Sequence, residues 1–147
     1  MKFRTQLFVA VALLISGIAW FTFLNRNKEP AQVFPATINR DCAPWDGSAF
    51  TVSIPMNDGT IIHVSIWQLP EIRFPVRFSF PDESGQVGIA YTAPELDPLQ
   101  QLKGEVSFRR VEKGIPVEGE FDFRTESGKR FKGRFKAEWG NEIIYCG

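Results

Sequence analysis

From Trp45 onward apolar and polar side chains alternate with a period of two, as expected of strands that bury one face. In "AFTVSIPM" the apolar set is Phe50, Val52, Ile54 and Met56; in "TIIHVSIW" it is Ile62, Val64 and Ile66. Asn57, Asp58 and Gly59 lie between them, and a three-residue loop ending in glycine is a favoured hairpin connection. That loop sets Val52 opposite Val64 on one face and Ser53 opposite His63 on the other. Next, "RFPVRFSF" offers Phe74, Val76, Phe78 and Phe80, with Pro75 suggesting a sheet edge or a bulge. After the turn "PDESGQ", "VGIAY" offers Val87, Ile89 and Tyr91.

Residues 92–102 break the alternation and divide it into two halves. The second half holds "KGEVSFRRV", "PVEGEFDFR", "KRFKGRFKAEW" and a short last strand near "EIIYC". The pattern predicts an all-β domain of about eight antiparallel strands in meander order, a filled β-sandwich or flattened barrel. Rings such as Phe108, Phe121, Phe131, Phe135 and Trp139 share the inward parity with Phe50, Phe78 and Tyr91. They suffice to fill a small fold without leaving a cup for a ligand.

Turn length also predicts registers in the second half. The loop Glu126–Gly128 pairs Phe123 with Phe131, and therefore Phe121 with Gly133 and Gly119 with Phe135. On the other face Asp122 meets Lys132, Glu120 meets Arg134 and Glu118 meets Lys136. The four-residue loop "EKGI" then places Arg109 beside Glu118 and Glu105 beside Asp122. The stretch "GKRFKGRFKAEW" is thus expected to have rings on one face and neutralised charges on the other. A single-stranded nucleic-acid surface needs both on the same face, so no nucleic-acid partner is expected.

The first residues change the picture. Lys2 and Arg4 precede Leu7–Leu24, 18 residues without a charge, ending in Trp20, Phe21 and Phe23. This predicts one N-terminal transmembrane helix, a signal-anchor that contacts the membrane through residues 7–24. The alternative is a signal peptide cleaved near Ala19, giving a secreted or periplasmic protein. Residues 25–41 carry two prolines and read as a linker, so the expected organisation is anchor 1–24, linker 25–41 and domain 42–147.

The only cysteines, Cys42 and Cys146, stand at the two ends of that domain and predict one disulfide, hence an oxidising compartment and a C-terminal domain outside the cytoplasm. Formal net charge is zero: Asp41 to Leu102 carries 2 basic and 8 acidic residues, and Lys103 to Trp139 carries 10 basic and 7 acidic. A neutral chain has no long-range pull on phosphate backbones.

No phosphate-binding glycine motif, nucleophile elbow or metal-ligand spacing occurs, so neither cofactor nor metal is expected. His63, the only histidine, has Ser53, Ser65 and Thr51 as expected neighbours and no carboxylate at a useful spacing. Trp67 falls on the polar parity of its strand, where a large ring is out of place. Trp67, His63 and Trp45 are therefore the candidate binding surface. The sequence predicts a membrane-anchored binding or assembly module for a protein or small-molecule partner, without catalytic residues. The alternatives are a carrier of an apolar ligand and a small hydrolase using His63.

Overall fold

The computed structural model describes residues 31–45, 48–67, 74–93, 99–140 and 145–146, so the expected anchor, residues 7–24, lies outside the described residues. Among the described residues there is no helix. The described residues form nine strands in one curled sheet, a half-barrel: β1 (Val33–Cys42), β2 (Ser48–Pro55), β3 (Ile61–Ile66), β4 (Val76–Phe80), β5 (Gly88–Ala93), β6 (Gln100–Gln101), β7 (Lys103–Phe108), β8 (Val117–Arg124) and β9 (Arg130–Trp139). Their spatial order is β4-β7-β8-β9-β1-β2-β3-β5-β6.

Turn chemistry sets the local pairings. The β2–β3 loop closes with Met56 N–H on Thr60 O at 2.8 Å, and the β8–β9 loop repeats the geometry with Thr125 N–H on Lys129 O at 2.9 Å. Each ends on a left-handed glycine, Gly59 (φ 82°) and Gly128 (φ 87°), a conformation in which a Cβ would be strained. Asp58 and Asp82 serve their own turns: Asp58 Oδ1 accepts the Thr60 N–H at 3.0 Å, and Asp82 Oδ2 accepts those of Gln86 at 3.0 Å and Val87 at 3.1 Å. The resulting registers are those expected, including Ser53 opposite His63, Phe123 opposite Phe131 and Asp122 opposite Lys132.

The order departs from a simple meander in two places. Strand β1 occupies most of the stretch expected as a linker and joins the halves, antiparallel to β2 and parallel to β9. Its apolar positions Phe34, Ala36 and Ile38 alternate, but only two are large, so the pattern is faint until β2 and β9 flank it. Pro35 is tolerated because the β1–β2 ladder begins at Thr37, so at most one side needs its missing N–H. Strand β4 does not pair with β3. It crosses to the far edge and pairs with β7, which agrees with the edge role expected from Pro75, although Pro75 itself precedes the strand and Phe74 is exposed. Of the last strand expected near "EIIYC", residues 141–144 lie outside the described residues, and Tyr145 and Cys146 are not in a strand.

The interior is filled by rings. Phe108 on β7 is fully buried and meets Phe50 of β2 at 5.6 Å, Phe78 of β4 at 5.9 Å and Phe135 of β9 at 5.7 Å, each near edge-to-face. Rings of widely separated strands touch only because the sheet curls. Gly119 provides space for Phe135: a Cβ there would lie 2.4 Å from the ring. Gly133 pairs with Phe121 as the register predicts, and the ring that covers it is Phe34, which stands across the β1–β9 pairing.

Tyr91 corrects the expected inner face of β5. His63 pairs with Tyr91 and Val64 with Ala90, so small residues, Ala90 and Thr92, point inward and Tyr91 points out. Bulk alone predicts the opposite parity.

Cys42 ends β1 and is bonded to Cys146 across a separation of 104 residues, with Cα atoms 5.5 Å apart. Closing so long a loop restricts the unfolded chain by about 4.7 kcal/mol in the chain-entropy model.

Candidate binding face

The outer face of the sheet has two halves of different chemistry. On β7, β8, β9 and the edge strand β4 it is an ion-pair ladder. Arg77 reaches Glu105 at 3.3 Å, Arg109 reaches Glu118 at 3.4 Å, Arg134 reaches Glu120 at 3.6 Å, and Lys132 reaches Asp122 at 3.5 Å. Asp122 also accepts from Arg130 Nε at 2.8 Å, which, with further charge attraction from Arg130 and Lys132, holds its carboxyl below the usual range. Lys136 stands opposite Glu118 in register, and no carboxylate among the described residues lies within 4 Å of it. The rings of this stretch, Phe131 and Phe135, are buried on the opposite side. Among the described residues, the cation that stands over a ring here, Lys129 above Phe131 at 4.9 Å, is ion-paired with Asp58.

On β1, β2, β3 and β5 the outer face carries hydroxyls and rings instead. Thr51 Oγ1 donates to Asp41 Oδ2 at 2.7 Å and lies 2.7 Å from Ser65 Oγ. A threonine hydroxyl has one proton, so Ser65 must donate to Thr51, and the relay runs Ser65 to Thr51 to Asp41. The other carboxylate oxygen of Asp41 accepts the Cys42 N–H at 2.8 Å, which ties the relay to the disulfide end of β1.

Next along β3, Ser53 Oγ and His63 Nδ1 are 2.9 Å apart, and the Tyr91 ring stacks on the imidazole at 5.1 Å and 24°. Burial lowers the His63 pKa and favours the neutral ring. At the other end of β3, Trp45 and Trp67 pack edge-to-face with centroids 6.0 Å apart, Trp45 half exposed.

The three residues singled out from the sequence thus lie on one face. Trp45 and Trp67 touch, while His63 stands four residues from Trp67 on the same side of β3 and pairs with Ser53 as its register requires. Sequence reasoning missed Tyr91 and Asp41. Bulk alone predicts Tyr91 inward, and its place follows only from the β3–β5 register. Asp41 has a signal, the outward alternation Thr37, Asn39, Asp41, but the prolines of the segment make it read as a linker.

The chemistry available here is hydrogen bonding and ring stacking. Ser53 engages the Nδ1 of His63, and no carboxylate among the described residues is hydrogen-bonded to this histidine, so the pair lacks the orienting acid of a nucleophilic triad. No group of three or more acidic, histidine or cysteine side chains converges among the described residues. A hollow of about 380 Å³ between Leu99, Gln100, Gln101, Glu126 and Ser127 holds one carboxylate, Glu126, already 3.8 Å from Lys103.

Comparison with protein-family models, curated proteins and solved structures finds no match to this chain.

Proposed function

We propose that the protein is held in a membrane by residues 7–24 and displays its β domain outside the cytoplasm, where it acts as a binding or assembly module through the outer face of β1, β2, β3 and β5. One observation carries the choice of face: most charges of the ladder half are ion-paired and its rings are buried, whereas the other half presents two aromatic pairs around a hydroxyl relay. The disulfide supports the compartment, since such bonds persist in oxidising surroundings. The ring-filled interior favours a surface site over a carrier's cavity.

Protease treatment of right-side-out membrane vesicles, whose outer side is the side away from the cytoplasm, tests the proposal. The β domain should be digested from outside while the uncleaved chain fractionates with membranes. Full protection of the domain would refute display. Mass spectrometry of the native protein that showed cleavage near Ala19 together with a retained lipid would favour a released carrier.

The 2.9 Å contact between Ser53 and His63 supports a second reading, a small hydrolase. Under that reading His63→Ala abolishes ester or amide hydrolysis by the purified protein; under the binding reading there is no such activity to lose.

A further inference from the structure

We infer that the hydroxyl and aromatic half of the outer face binds an uncharged glycan, an inference that rests on the proposal that the domain is a binding module. Trp67 lies four positions on from His63, one residue past the end of β3, about 13 Å at 3.3 Å per residue, so the two aromatic pairs bracket Ser65 and Thr51, with Asp41 at the tryptophan end. This spacing suits an extended oligomer better than a single small ring. Sugar rings present C–H faces that pack on aromatic side chains, and their edges carry hydroxyls that both donate and accept.

Hydrogen-bond direction narrows the ligand further. Each hydroxyl proton in the relay is used inward, so its outlet is the Asp41 carboxylate, which can only accept. A ligand seated there must bring donors. Sugar hydroxyls supply them, whereas a proline-rich segment, the other common partner of paired aromatics, offers carbonyl acceptors and no backbone N–H at its prolines. Charge removes another class. β2, β3, β5 and the Trp45 turn carry no lysine or arginine, and Arg40 of β1 takes the parity opposite to Asn39 and Asp41, so this face holds nothing to neutralise a phosphate or sulfate.

The Trp45–Trp67 pair is the expected main contact. Trp45 sits half exposed in a turn, with the Trp67 ring packed edge-to-face against it. Loss of either ring should weaken binding about tenfold, the equivalent of one buried aromatic contact.

The test uses the full chain, oxidised and in detergent, titrated with linear hexaoses of β-linked glucose, mannose, xylose and N-acetylglucosamine, followed by tryptophan fluorescence and calorimetry. At least one hexaose should bind saturably, insensitively to salt, and about tenfold more weakly to Trp45→Ala and Trp67→Ala. Lys132→Ala, on the ladder, should bind as the parent does. Trp67→Ala could unfold the end of β3; Trp45→Ala alters an exposed turn and should keep the parent melting temperature, so it decides the matter alone. Absence of saturable binding to all four hexaoses overturns the inference, as does binding that survives Trp45→Ala. Binding of a decaproline peptide in their place, lost in Trp45→Ala, also overturns it but leaves the binding module standing. The module itself fails separately, in the protease assay.

Discussion

Replacing Gly119 by alanine is the sharpest probe of how the interior is packed. A Cβ on Gly119 would lie 2.3 Å from the Ser107 carbonyl oxygen and 2.4 and 2.6 Å from two atoms of the Phe135 ring. Neither neighbour can yield cheaply. Ser107 belongs to the β7–β8 ladder, and Phe135 is 2% exposed and held against Phe108 at 5.7 Å. Stiffening the unfolded chain favours alanine by about 0.4–1 kcal/mol. Overpacking a tight core costs about 1–3 kcal/mol, and here backbone must move as well, so the net expectation is a loss of about 1–3 kcal/mol. Denaturant unfolding followed by circular dichroism, with the disulfide intact, measures it. Phe135→Leu, which opens the space, should cost stability alone and yet recover part of the alanine penalty in the double variant. A Gly119→Ala protein as stable as the parent would refute the packing derived for β7, β8 and β9.

Three further outcomes follow from the same structure. Cys146→Ser should lower stability by up to about 4.7 kcal/mol, and reductant should destabilise the parent to the same extent while leaving the variant unchanged. Burial depresses the His63 pKa below 6.5, so above that value the ring is neutral in both states. As pH falls below 6.5 the unfolded chain takes up the proton first and stability declines, a dependence that His63→Asn should remove in melts between pH 7 and 5. Lys129 bonds Asp58 at 2.6 Å and, with the Thr60 N–H, holds its carboxyl at about 2; that contribution is present above pH 3.8 and lost as pH falls toward 2. The pair is half exposed, so Lys129→Ala should cost less than about 1 kcal/mol at neutral pH and still less in high salt.

Much of this fold could be read from the chain because short loops translate directly into register. Once Gly59 and Gly128 fix the loops, the pairings Ser53 with His63 and Phe123 with Phe131 follow by counting, and the charge ladder with them. What could not be read depends on long-range pairing. Strand β1 has too little apolar bulk to announce itself, and its parallel partner β9 lies about a hundred residues away in sequence. The crossing of β4 to β7 has no local signal, since an edge strand reads the same at either edge. Tyr91 shows the limit of reading parity from size, because the small residues Ala90 and Thr92 are those that β3 and the core accommodate. The candidate face was therefore half legible: Trp45, Trp67 and His63 stood out, whereas Tyr91 and Asp41 needed the sheet.

Peptide mapping of membrane-fraction protein under non-reducing conditions asks whether a membrane-held chain carries an oxidised, end-tied β domain. One cross-linked peptide containing both Cys42 and Cys146, recovered with the intact segment 7–24, is the expected result. Free thiols at Cys42 and Cys146 in freshly isolated membranes would contradict it.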